Sequence, residues 1–504
     1  MNMFKKLVEK IMPKKESWIE KHHALVIALG VVLFMAIALW IGLRQSVWFD
    51  EAYSITIAKL PLGDLLHMTG LDTHPPLYYM LLKGWATVFG WNEFALRSLS
   101  VVAAGGAVAI GILLVRRLFG IRAALITLPF AVISPFLLRY AFEIRMYALA
   151  SLICIAATYV LVVALEAKER RQKWLLYGGY AALVSLGVYT LYYTVLIWIS
   201  HVVWLTWLAR RNKQSVLKSS GLAAYVGSVI LFLPWLPTFV SQITNGALAP
   251  ISQPLTVDNL IGIVSFQFLY QPAWQLTALW SLVFVVLTVA LIVLTVRAIK
   301  YIKKSDVQSI MLLLMYFMVP IIILTLVSLV RAMYVERYLA HVVLGLILLV
   351  GVIVSFAIKD NVRTTKLLAS AVLVIMLAGV TQLIQVGNYN FQRLQQPQVK
   401  QAVSTISCKD GQIVLAADPY TAIEISYYLP SSCDLRFYSE TASLSGGYAP
   451  LSNSPKRVEN PSTELKGETN VIYVYYEGVQ LNFENKVQTT SNFGPLHVSN
   501  INVE

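Results

Sequence analysis

Long apolar runs alternate with short polar segments over the first three quarters of the chain. Runs of about 18 or more residues with few charges are typical of helices that cross a bilayer. The stretch 175–208 is too long for one crossing, so we divide it near Leu191 and Tyr192. The eleven predicted crossings are 24–43, 96–115, 123–138, 146–165, 175–190, 193–208, 221–240, 276–296, 309–330, 338–357 and 367–386. The pattern therefore predicts a polytopic α-helical membrane protein.

The basic residues are concentrated between these runs. Six short segments hold 24 of the 40 Lys and Arg residues, namely 5–21, 116–122, 168–173, 210–218, 297–304 and 359–366. Eleven crossings place all six on one side, which the positive-inside rule identifies as the cytoplasm. We therefore expect a plasma-membrane protein with a cytoplasmic N-terminus. The first run has no small-residue cleavage site after it, so we interpret it as a retained helix.

Composition and charge agree with this class. Hydrophobic residues make up 57% of the 504 residues and charged residues 13%, against roughly a quarter charged in soluble globular proteins. The net charge of +14 is explained by the cytoplasmic segments, which also attract anionic lipid headgroups. The expected partner is therefore the lipid membrane, and no nucleic acid is expected.

Two segments on the predicted outer side, about 44–95 and 241–275, are too long to be simple turns. The first is rich in aromatic residues and is predicted to form short amphipathic helices along the membrane interface, the second of them starting at Pro75-Pro76. The run 77–90 is not counted as a crossing, because counting it would reverse the side of every later basic segment. The second segment is interpreted as a lid over a site.

After residue 386 the pattern changes to that of a soluble domain. Residues 412–417, 434–438 and 470–476 are predicted strands, 420–429 a short helix and 443–469 a loop. The chain is thus predicted to consist of a transmembrane domain, 1–386, and a small extracytoplasmic α/β domain, 387–504. Cys408 and Cys433 in that domain could form a disulfide or remain two free thiols, and Cys154 lies within a predicted crossing.

The first candidate chemistry is a pair of carboxylates, Asp50 and Glu51, directly after the first crossing. A partly desolvated carboxylate gains basicity, so it could take a proton from a hydroxyl or hold a divalent metal. The alternative is interfacial charge that faces water. A second polar cluster, Asp72 to His74, precedes two prolines that make the backbone rigid. A histidine in such a cluster is either catalytic or a hydrogen-bonded structural residue.

Two further clusters contain arginine. Arg139 and Glu143 are four residues apart and could simply pair on a helix. Alternatively, Glu143 faces Asp50 across the outer cavity and Arg145 binds an anionic ligand. Arg331 and Glu336-Arg337-Tyr338 precede the tenth crossing. These arginines could extend to the interface, or Arg337 could clamp a lipid phosphate through its guanidinium.

The order of these strings resembles the membrane glycosyltransferases of the GT-C superfamily. The similarity is greatest to the bacterial branch that resembles dolichyl-phosphate-mannose–protein mannosyltransferases and lipid A aminoarabinose transferases, and it covers roughly residues 20–360. The strings that carry it are Phe49-Asp50-Glu51-Ala52-Tyr53-Ser54, Thr73-His74-Pro75-Pro76-Leu77-Tyr78-Tyr79, Asn92-Glu93-Phe94-Ala95-Leu96-Arg97, Arg116-Arg117-Leu118-Phe119-Gly120 and Glu336-Arg337-Tyr338-Leu339.

The resemblance implies a polyprenyl-phosphate-linked sugar as donor, transfer on the outer face and inversion at the anomeric carbon. The resemblance does not identify the acceptor, which could be a protein, a lipid or a glycan. The sugar also stays open, because Thr73-His74 stands where the aminoarabinose transferases have Glu-Lys. A Mg²⁺ or Mn²⁺ ion held by Asp50 is possible. The expected site comprises catalytic residues Asp50, Glu51, His74 and Glu143, phosphate-binding residues Arg337, Arg145, Tyr338 and Arg331, and substrate-binding residues Asp72, Tyr53 and Tyr78.

Three other classes of protein are alternatives to this interpretation. A transporter would place ionisable residues near the bilayer midplane and would often show two related halves. A polymerase or ligase of lipid-linked glycans would carry its chemistry in late loops. A receptor with 388–504 as its sensor would leave the first loop unexplained. The charged clusters at the outer ends of the helices favour the glycosyltransferase.

Overall fold

The computed structural model describes residues 21–213, 220–244, 255–270, 277–331, 333–387, 398–409, 411–481 and 483–504. A helical part runs to Val386, and a part built around a β-sheet follows from Val399. The helices of the first part are α1 (His23–Leu43), α2 (Phe49–Lys59), α3 (Leu62–Leu71), α4 (Leu77–Phe89), α5 (Glu93–Phe119), α6 (Ile121–Val132), α7 (Pro135–Ala141), α8 (Tyr147–Glu166), α9 (Arg170–Thr190), α10 (Val195–Arg211), α11 (Ser220–Phe232), α12 (Leu236–Thr244), α13 (Val257–Leu269), α14 (Ala278–Ile299), α15 (Val307–Val330), α16 (Ala340–Ala357) and α17 (Arg363–Val386).

Each predicted crossing coincides with a helix or a helix pair. In the described part of the chain nine helices or joined helices are long and apolar enough to cross a bilayer, and α6 with α7 makes a tenth if this bent pair is one span. The remaining predicted crossing, 175–190, lies in α9, a 21-residue helix whose first turns carry three basic residues. The prediction of a polytopic helical membrane protein is confirmed.

The α6–α7 pair departs from the straight helix predicted for 123–138. The two helices meet at an angle of 65°. Pro129 lies inside α6, and Ser134 caps the start of α7, where Pro135 occupies the first turn. Proline removes a backbone donor and disfavours helix in the residue before it, which accounts for the break.

The basic segments meet at one end of the bundle. Arg117 pairs with Glu166 at 2.5 Å, Arg211 donates to the backbone oxygen of Lys304, and Arg297 pairs with Asp360 at 3.3 Å. We call this the basic end, and the opposite end, which carries residues 44–92, the loop end. Residues 1–20 and 214–219 lie outside the described residues, so the basic residues there are not placed.

The loop end is built from three short helices, α2, α3 and α4, so the helix predicted to start at Pro75-Pro76 is the third of the segment and not the second. Pro61 ends α2 and caps α3, and Pro76 caps α4. The 13 residues of α4 fall well short of the roughly 20 that a crossing needs. In the second long segment, α13 is described, but 245–254 and 271–276 are not, so the lid interpretation falls on residues outside the description.

The C-terminal part contains, among its described residues, a six-stranded sheet of order β3-β2-β1-β4-β6-β5. Its elements are α18 (Val399–Ser404), β1 (Ile413–Ala416), α19 (Pro419–Ser426), β2 (Asp434–Tyr438), β3 (Arg457–Val458), α20 (Pro461–Glu464), β4 (Val471–Tyr476), β5 (Asn485–Phe493) and β6 (Leu496–Val503). β1 to β4 pair in parallel, whereas β6 pairs antiparallel with β4 and with β5. This is the small α/β domain predicted.

Two details of this domain were not foreseen. The β5–β6 hairpin was missed because β5 is mostly exposed and polar, which leaves little apolar alternation to detect. The segment predicted as loop contains β3 and α20. Of the two alternatives for the cysteines, the structure forms the disulfide, with Cys408 and Cys433 Cα atoms 5.3 Å apart.

Candidate active site

The first turn of α2 sends its two carboxylates in different directions. Trp48 caps the helix, and its backbone N–H donates to Glu51 Oε2 at 3.3 Å. Consecutive helical residues point about 100° apart, so Asp50 and Glu51 cannot share one face. Asp50 keeps 14% of its side chain exposed, whereas the Glu51 side chain is completely buried.

Glu51 is bound by groups from two other elements. Arg97 of α5 approaches Oε1 at 2.6 Å and Oε2 at 3.2 Å, and the backbone N–H of Ile144 donates to Oε1 at 2.9 Å. Because Ile144 precedes Arg145, this contact also fixes the backbone from which Arg145 extends. Glu51 was predicted as catalytic, and the structure places it in a completely buried ion pair with Arg97.

Glu143 is held in a similar way. Its Oε2 lies 3.1 Å from Arg139 Nη1, and Trp48 Nε1 donates to its Oε1 at 3.0 Å. The Glu143 side chain is completely buried. The sequence allowed either an Arg139–Glu143 pair or a Glu143 that faces Asp50. The structure contains the Arg139–Glu143 pair. Glu143 does not face Asp50 across a cavity.

Asp50 is the carboxylate that meets the late arginine cluster. Arg337 Nη1 lies 3.0 Å from Asp50 Oδ2, although 287 residues separate them, and Arg145 Nε lies 3.9 Å from the same oxygen. The Arg337 guanidinium carbon also lies 5.9 Å from the Trp48 ring and 5.7 Å from the Tyr338 ring. The aromatic rings thus hold the arginine beside Asp50.

Arg145 links Asp50 to the polar cluster before the prolines. Its Nη2 donates to His74 Nε2 at 3.3 Å, and its Nη1 donates to Tyr79 at 3.1 Å and Ser54 at 3.3 Å. An arginine can only donate, so His74 Nε2 must accept. Nδ1 then carries the proton and donates to Asp72 Oδ2 at 3.1 Å.

The charges around this dyad agree with that tautomer. Burial and the Arg145 charge lower the pKa of His74 from its ordinary 6.5, so the ring is neutral at pH 7. Burial alone would raise the pKa of Asp72, but the interactions with His74, and those with the Thr73 backbone and Arg145, hold it at about 2. Asp72 is therefore a carboxylate that orients His74.

Three tyrosines surround the cluster. Tyr53 is buried edge-on against Tyr79, with ring centroids 6.1 Å apart. The Tyr78 hydroxyl lies 2.9 Å from Ser100, so this predicted substrate-binding residue points into the helix packing. Its neighbour Tyr79 makes the contact with Arg145 instead. The sequence therefore pointed to the wrong one of two adjacent tyrosines, Tyr78 in place of Tyr79.

An apolar cavity of about 240 Å³ adjoins the polar cluster. Its lining is Thr73, His74, Leu191, Tyr192, Tyr193, Val195, Leu196, Phe239, Ile323, Leu324, Val327, Met333 and Tyr338. Tyr338 stacks on Tyr193 at 4.7 Å and lies edge-on to His74 at 6.4 Å, so it separates the cavity from Arg337. Val195 and Val327 are 46% and 40% exposed, so the cavity reaches the outer surface of the bundle.

Arg331 is not part of this arrangement. It follows α15 with its side chain exposed, and it forms no ion pair with any described residue. It is one of the predicted phosphate-binding residues that the structure does not bring to Asp50.

The residues around Asp50 do not fit a metal site. Among the described residues, no three or more His, Cys, Asp or Glu side chains are arranged to hold one ion. The Asp50 oxygen that faces the cluster is instead paired with arginine.

One residue that supports the site, Gln242, was not selected from the sequence. Gln242 of α12 is buried and donates to the backbone oxygens of Thr69 at 2.9 Å and Asp72 at 2.6 Å. Its own oxygen accepts from Tyr192, a cavity residue, at 2.6 Å. Its only sequence signal is an amide side chain near the end of a predicted crossing, beside other polar residues such as Ser241 and Thr244.

Comparisons with known proteins address the fold. Residues 73–237, about a third of the chain, match the family described as dolichyl-phosphate-mannose-protein mannosyltransferase. No curated protein sequence matches the chain significantly.

Three solved structures are similar over most of their length. The apo crystal structure of ArnT from Cupriavidus metallidurans aligns with a TM-score of 0.60 at 12% identity and covers 93% of this chain and 97% of its own. The same protein bound to undecaprenyl phosphate gives 0.60 at 11% identity, with 96% and 98% covered. The apo oligosaccharyltransferase of Archaeoglobus fulgidus gives 0.52 at 12% identity, with 82% and 64% covered.

Identities this low establish the architecture and not the substrate. The agreement nevertheless extends through both the helical part and the C-terminal domain, since nearly the whole of each ArnT chain is covered. The fold expected from the resemblance in the sequence is thereby confirmed: the chain is a multi-pass membrane protein that shares its fold with ArnT and with the archaeal oligosaccharyltransferase.

Proposed function

We propose that this protein transfers a sugar from a polyprenyl-phosphate-linked donor to a hydroxyl-bearing acceptor, with inversion at the anomeric carbon. The observation that carries the proposal is the Asp50–Arg337 pair beside an apolar cavity that reaches the lipid-facing surface. A carboxylate, two arginines and a lateral apolar cavity are what a lipid-borne phosphosugar requires. The family match and the two ArnT structures support the same class of reaction.

The cavity suits the lipid part of such a donor. Its walls are almost entirely apolar apart from Thr73, His74 and the tyrosine hydroxyls. A volume of about 240 Å³ is below the roughly 300–1,000 Å³ of pockets that enclose a drug-sized ligand. Only the first part of the polyprenyl chain would therefore enter, and the rest would stay in the bilayer.

The phosphate would lie where two arginines have unused donors. Arg145 Nε and Arg337 Nε are buried and make no hydrogen bond with any described residue. Buried guanidinium N–H groups without an acceptor are costly, and a phosphate oxygen would satisfy them with charge-assisted hydrogen bonds. Tyr338, between Arg337 and the cavity, would mark the junction of phosphate and lipid.

Donor binding would also release the base. In the structure Arg337 neutralises Asp50, but a phosphate would compete for the same guanidinium. Asp50 Oδ2 would then accept the proton of the acceptor hydroxyl. At the same time the hydroxyl oxygen of the acceptor would attack the anomeric carbon from the face opposite the phosphate. The bond from that carbon to the phosphate oxygen breaks, and its electron pair stays on the phosphate, where Arg337 and Arg145 stabilise the growing charge.

His74 would act through Arg145. Because neutral His74 accepts from Arg145 Nη2 while Asp72 fixes its tautomer, the dyad holds the guanidinium in place for the phosphate.

The loop end would face the non-cytoplasmic side of the plasma membrane. The basic end, at the other side of the bundle, would be cytoplasmic by the positive-inside rule. The C-terminal domain contacts the loop end and would lie on the outer side with it, where an oxidising environment permits its disulfide.

The test uses purified full-length protein in lipid nanodiscs with a labelled polyprenyl-phosphate sugar and a set of hydroxyl acceptors, with and without EDTA. Asp50→Asn is expected to lower transfer about 10²- to 10⁴-fold, the usual contribution of a general base, while folding and polyprenyl phosphate binding persist. Asp64→Asn is the matched control, because Asp64 is an exposed carboxylate of the same loop end. Near-normal turnover by Asp50→Asn would remove Asp50 from the mechanism.

The EDTA arm tests for a metal. If EDTA lowers the transfer rate and added Mg²⁺ or Mn²⁺ restores it, a metal takes part in the reaction.

A further inference from the structure

The C-terminal domain is packed directly against the helix turn that carries Asp50. The ring of Phe49 stacks on Tyr420 of α19, with centroids 4.4 Å apart and planes within 7°. Tyr448 lies 5.5 Å away on a second side. A Cβ on Gly447 would come 3.3 Å from the same ring, so the backbone there closes around it. Phe49, the residue before Asp50, is therefore half-buried and packed against the C-terminal domain on more than one side.

The chain that enters this turn is held by hydrogen bonds from the same domain. The backbone N–H of Val47 donates to the Tyr428 hydroxyl at 2.9 Å. The backbone N–H of Lys400 donates to Ser46 Oγ at 3.2 Å. These contacts fix the approach to α2 from outside the helical bundle.

The opposite side of the turn is held by the helical bundle. Glu51, the residue after Asp50, is bound by Arg97 at 2.6 Å and by the backbone of Ile144. Asp50 thus lies between one residue fixed by the C-terminal domain and one fixed by the bundle. Each holds one side of a single helical turn, so the direction of the Asp50 side chain depends on both.

We propose that the C-terminal domain is a positioning element of the active site, which aims Asp50 through Phe49 and Val47. The role of Asp50 as base rests on the proposed function, whereas the mechanical coupling does not. Tyr420, Tyr428 and Tyr448 are then positioning residues, although none of them touches the donor. A displacement of a reacting group by about 1 Å can cost about a hundredfold in rate, so loosening this turn would lower turnover.

Two adjacent tyrosines supply a matched pair of variants. Tyr428 binds Val47 next to Asp50, whereas Tyr427 donates to the backbone oxygen of Trp91 at 3.0 Å, at the far end of the loop region. Each Tyr→Phe change keeps the ring and removes one hydrogen bond between the domain and the loop end. A domain that merely docks would respond equally to both changes.

The experiment measures kcat, the donor KM and backbone hydrogen exchange of peptides within 44–55 in the full-length protein. Tyr428→Phe and Tyr420→Leu are expected to lower kcat about tenfold, to leave donor KM within twofold and to speed exchange in 44–55. Tyr427→Phe is expected to change none of these by more than twofold, and Tyr420→Phe, which keeps the stacked ring, should recover most of the kcat lost in Tyr420→Leu.

Equal effects of Tyr427→Phe and Tyr428→Phe, or unchanged exchange in Tyr428→Phe, would overturn the inference. If Tyr420→Leu fails to fold, the Tyr427–Tyr428 comparison alone decides. Failure of the wild type to transfer sugar would contradict the proposed function, while the exchange measurement would still decide whether the domain holds the turn.

Discussion

Replacing Arg337 gives the sharpest test of the proposed phosphate site. Its Nη1 lies 3.0 Å from Asp50, and its buried Nε makes no hydrogen bond with any described residue. A charge-assisted hydrogen bond contributes about 1.5–3 kcal/mol, and each 1.4 kcal/mol is a factor of ten in affinity. Arg337→Ala should therefore weaken polyprenyl phosphate binding by about 10- to 150-fold. Arg145 would remain, so binding should not be abolished.

The assay is a titration of polyprenyl phosphate into nanodisc-embedded protein, followed by native mass spectrometry, at two salt concentrations. Arg337→Lys should give an intermediate loss, because lysine keeps the charge but not the planar fork. Arg331→Ala is the control, since Arg331 is an exposed arginine six positions earlier. An unchanged dissociation constant in Arg337→Ala, or an equal loss in Arg331→Ala, would refute the phosphate clamp.

Asp50→Asn adds a change of opposite sign to the same titration. In the structure Asp50 pairs with Arg337, the guanidinium that the proposed phosphate would also bind, so neutralising Asp50 should free this guanidinium. At 4 Å two unit charges interact by about 1 kcal/mol even in water, which corresponds to about fivefold tighter binding. A variant that binds polyprenyl phosphate more tightly yet transfers no sugar would separate the roles of the two residues. Weaker binding by Asp50→Asn would contradict the competition.

Three further predictions concern the surrounding residues. Because burial and Arg145 lower the pKa of His74 below 6.5, transfer should hold through neutral pH and fall as pH drops further below 6.5 and His74 is protonated. His74→Gln should remove that acidic limb from the pH–rate profile, and a persisting limb would assign it to another group. Arg97→Gln leaves buried Glu51 unpaired and should cost about 3–5 kcal/mol of stability, measured as a lower melting temperature. The double variant with Glu51→Gln should recover part of this stability and retain measurable transfer, which a catalytic Glu51 would not allow. Gln242→Leu leaves two backbone oxygens without their donor, at about 1–3 kcal/mol each, and should raise the donor KM because the Asp72–His74 turn loosens; an unchanged KM would limit Gln242 to a role in stability.

The sequence predicted those features of the fold that depend on local pattern. Long apolar runs located the crossings, and the short runs of β-branched, apolar and aromatic residues in 412–417 and 470–476 located β1 and β4. The bend between α6 and α7 has a local signal too, in Pro129 and Pro135, but its angle depends on packing. The β5 strand escaped because its exposed polar residues pair with β6 through the backbone, which leaves no hydrophobic period.

The candidate site was predictable in part for a related reason. Asp50, His74, Arg145 and Arg337 all follow or precede crossings at one end of the bundle, so topology alone brings them to the same side. What topology does not give is the partner of each carboxylate. Arg97 is 46 residues from Glu51, and nothing in either string indicates the pair. The sequence also could not tell that Tyr79, and not Tyr78, faces Arg145. Adjacent side chains of a helix point about 100° apart, and only the packing of α4 decides which of the two faces the site.

The charges of the cluster suggest why Arg337 is placed between Asp50 and the cavity. The groups are four carboxylates, Asp50, Glu51, Asp72 and Glu143, and four guanidiniums, Arg97, Arg139, Arg145 and Arg337, with His74 neutral. In the proposed reaction Asp50 takes up a proton and loses its negative charge. The departing phosphate gains one negative charge, so the total charge of the site stays constant. Negative charge therefore moves from Asp50 to the phosphate past Arg337, which can hydrogen-bond to both. Since no new charge has to be buried, the positive groups already in place stabilise the phosphate as it departs without reorganising, which is the condition for electrostatic catalysis.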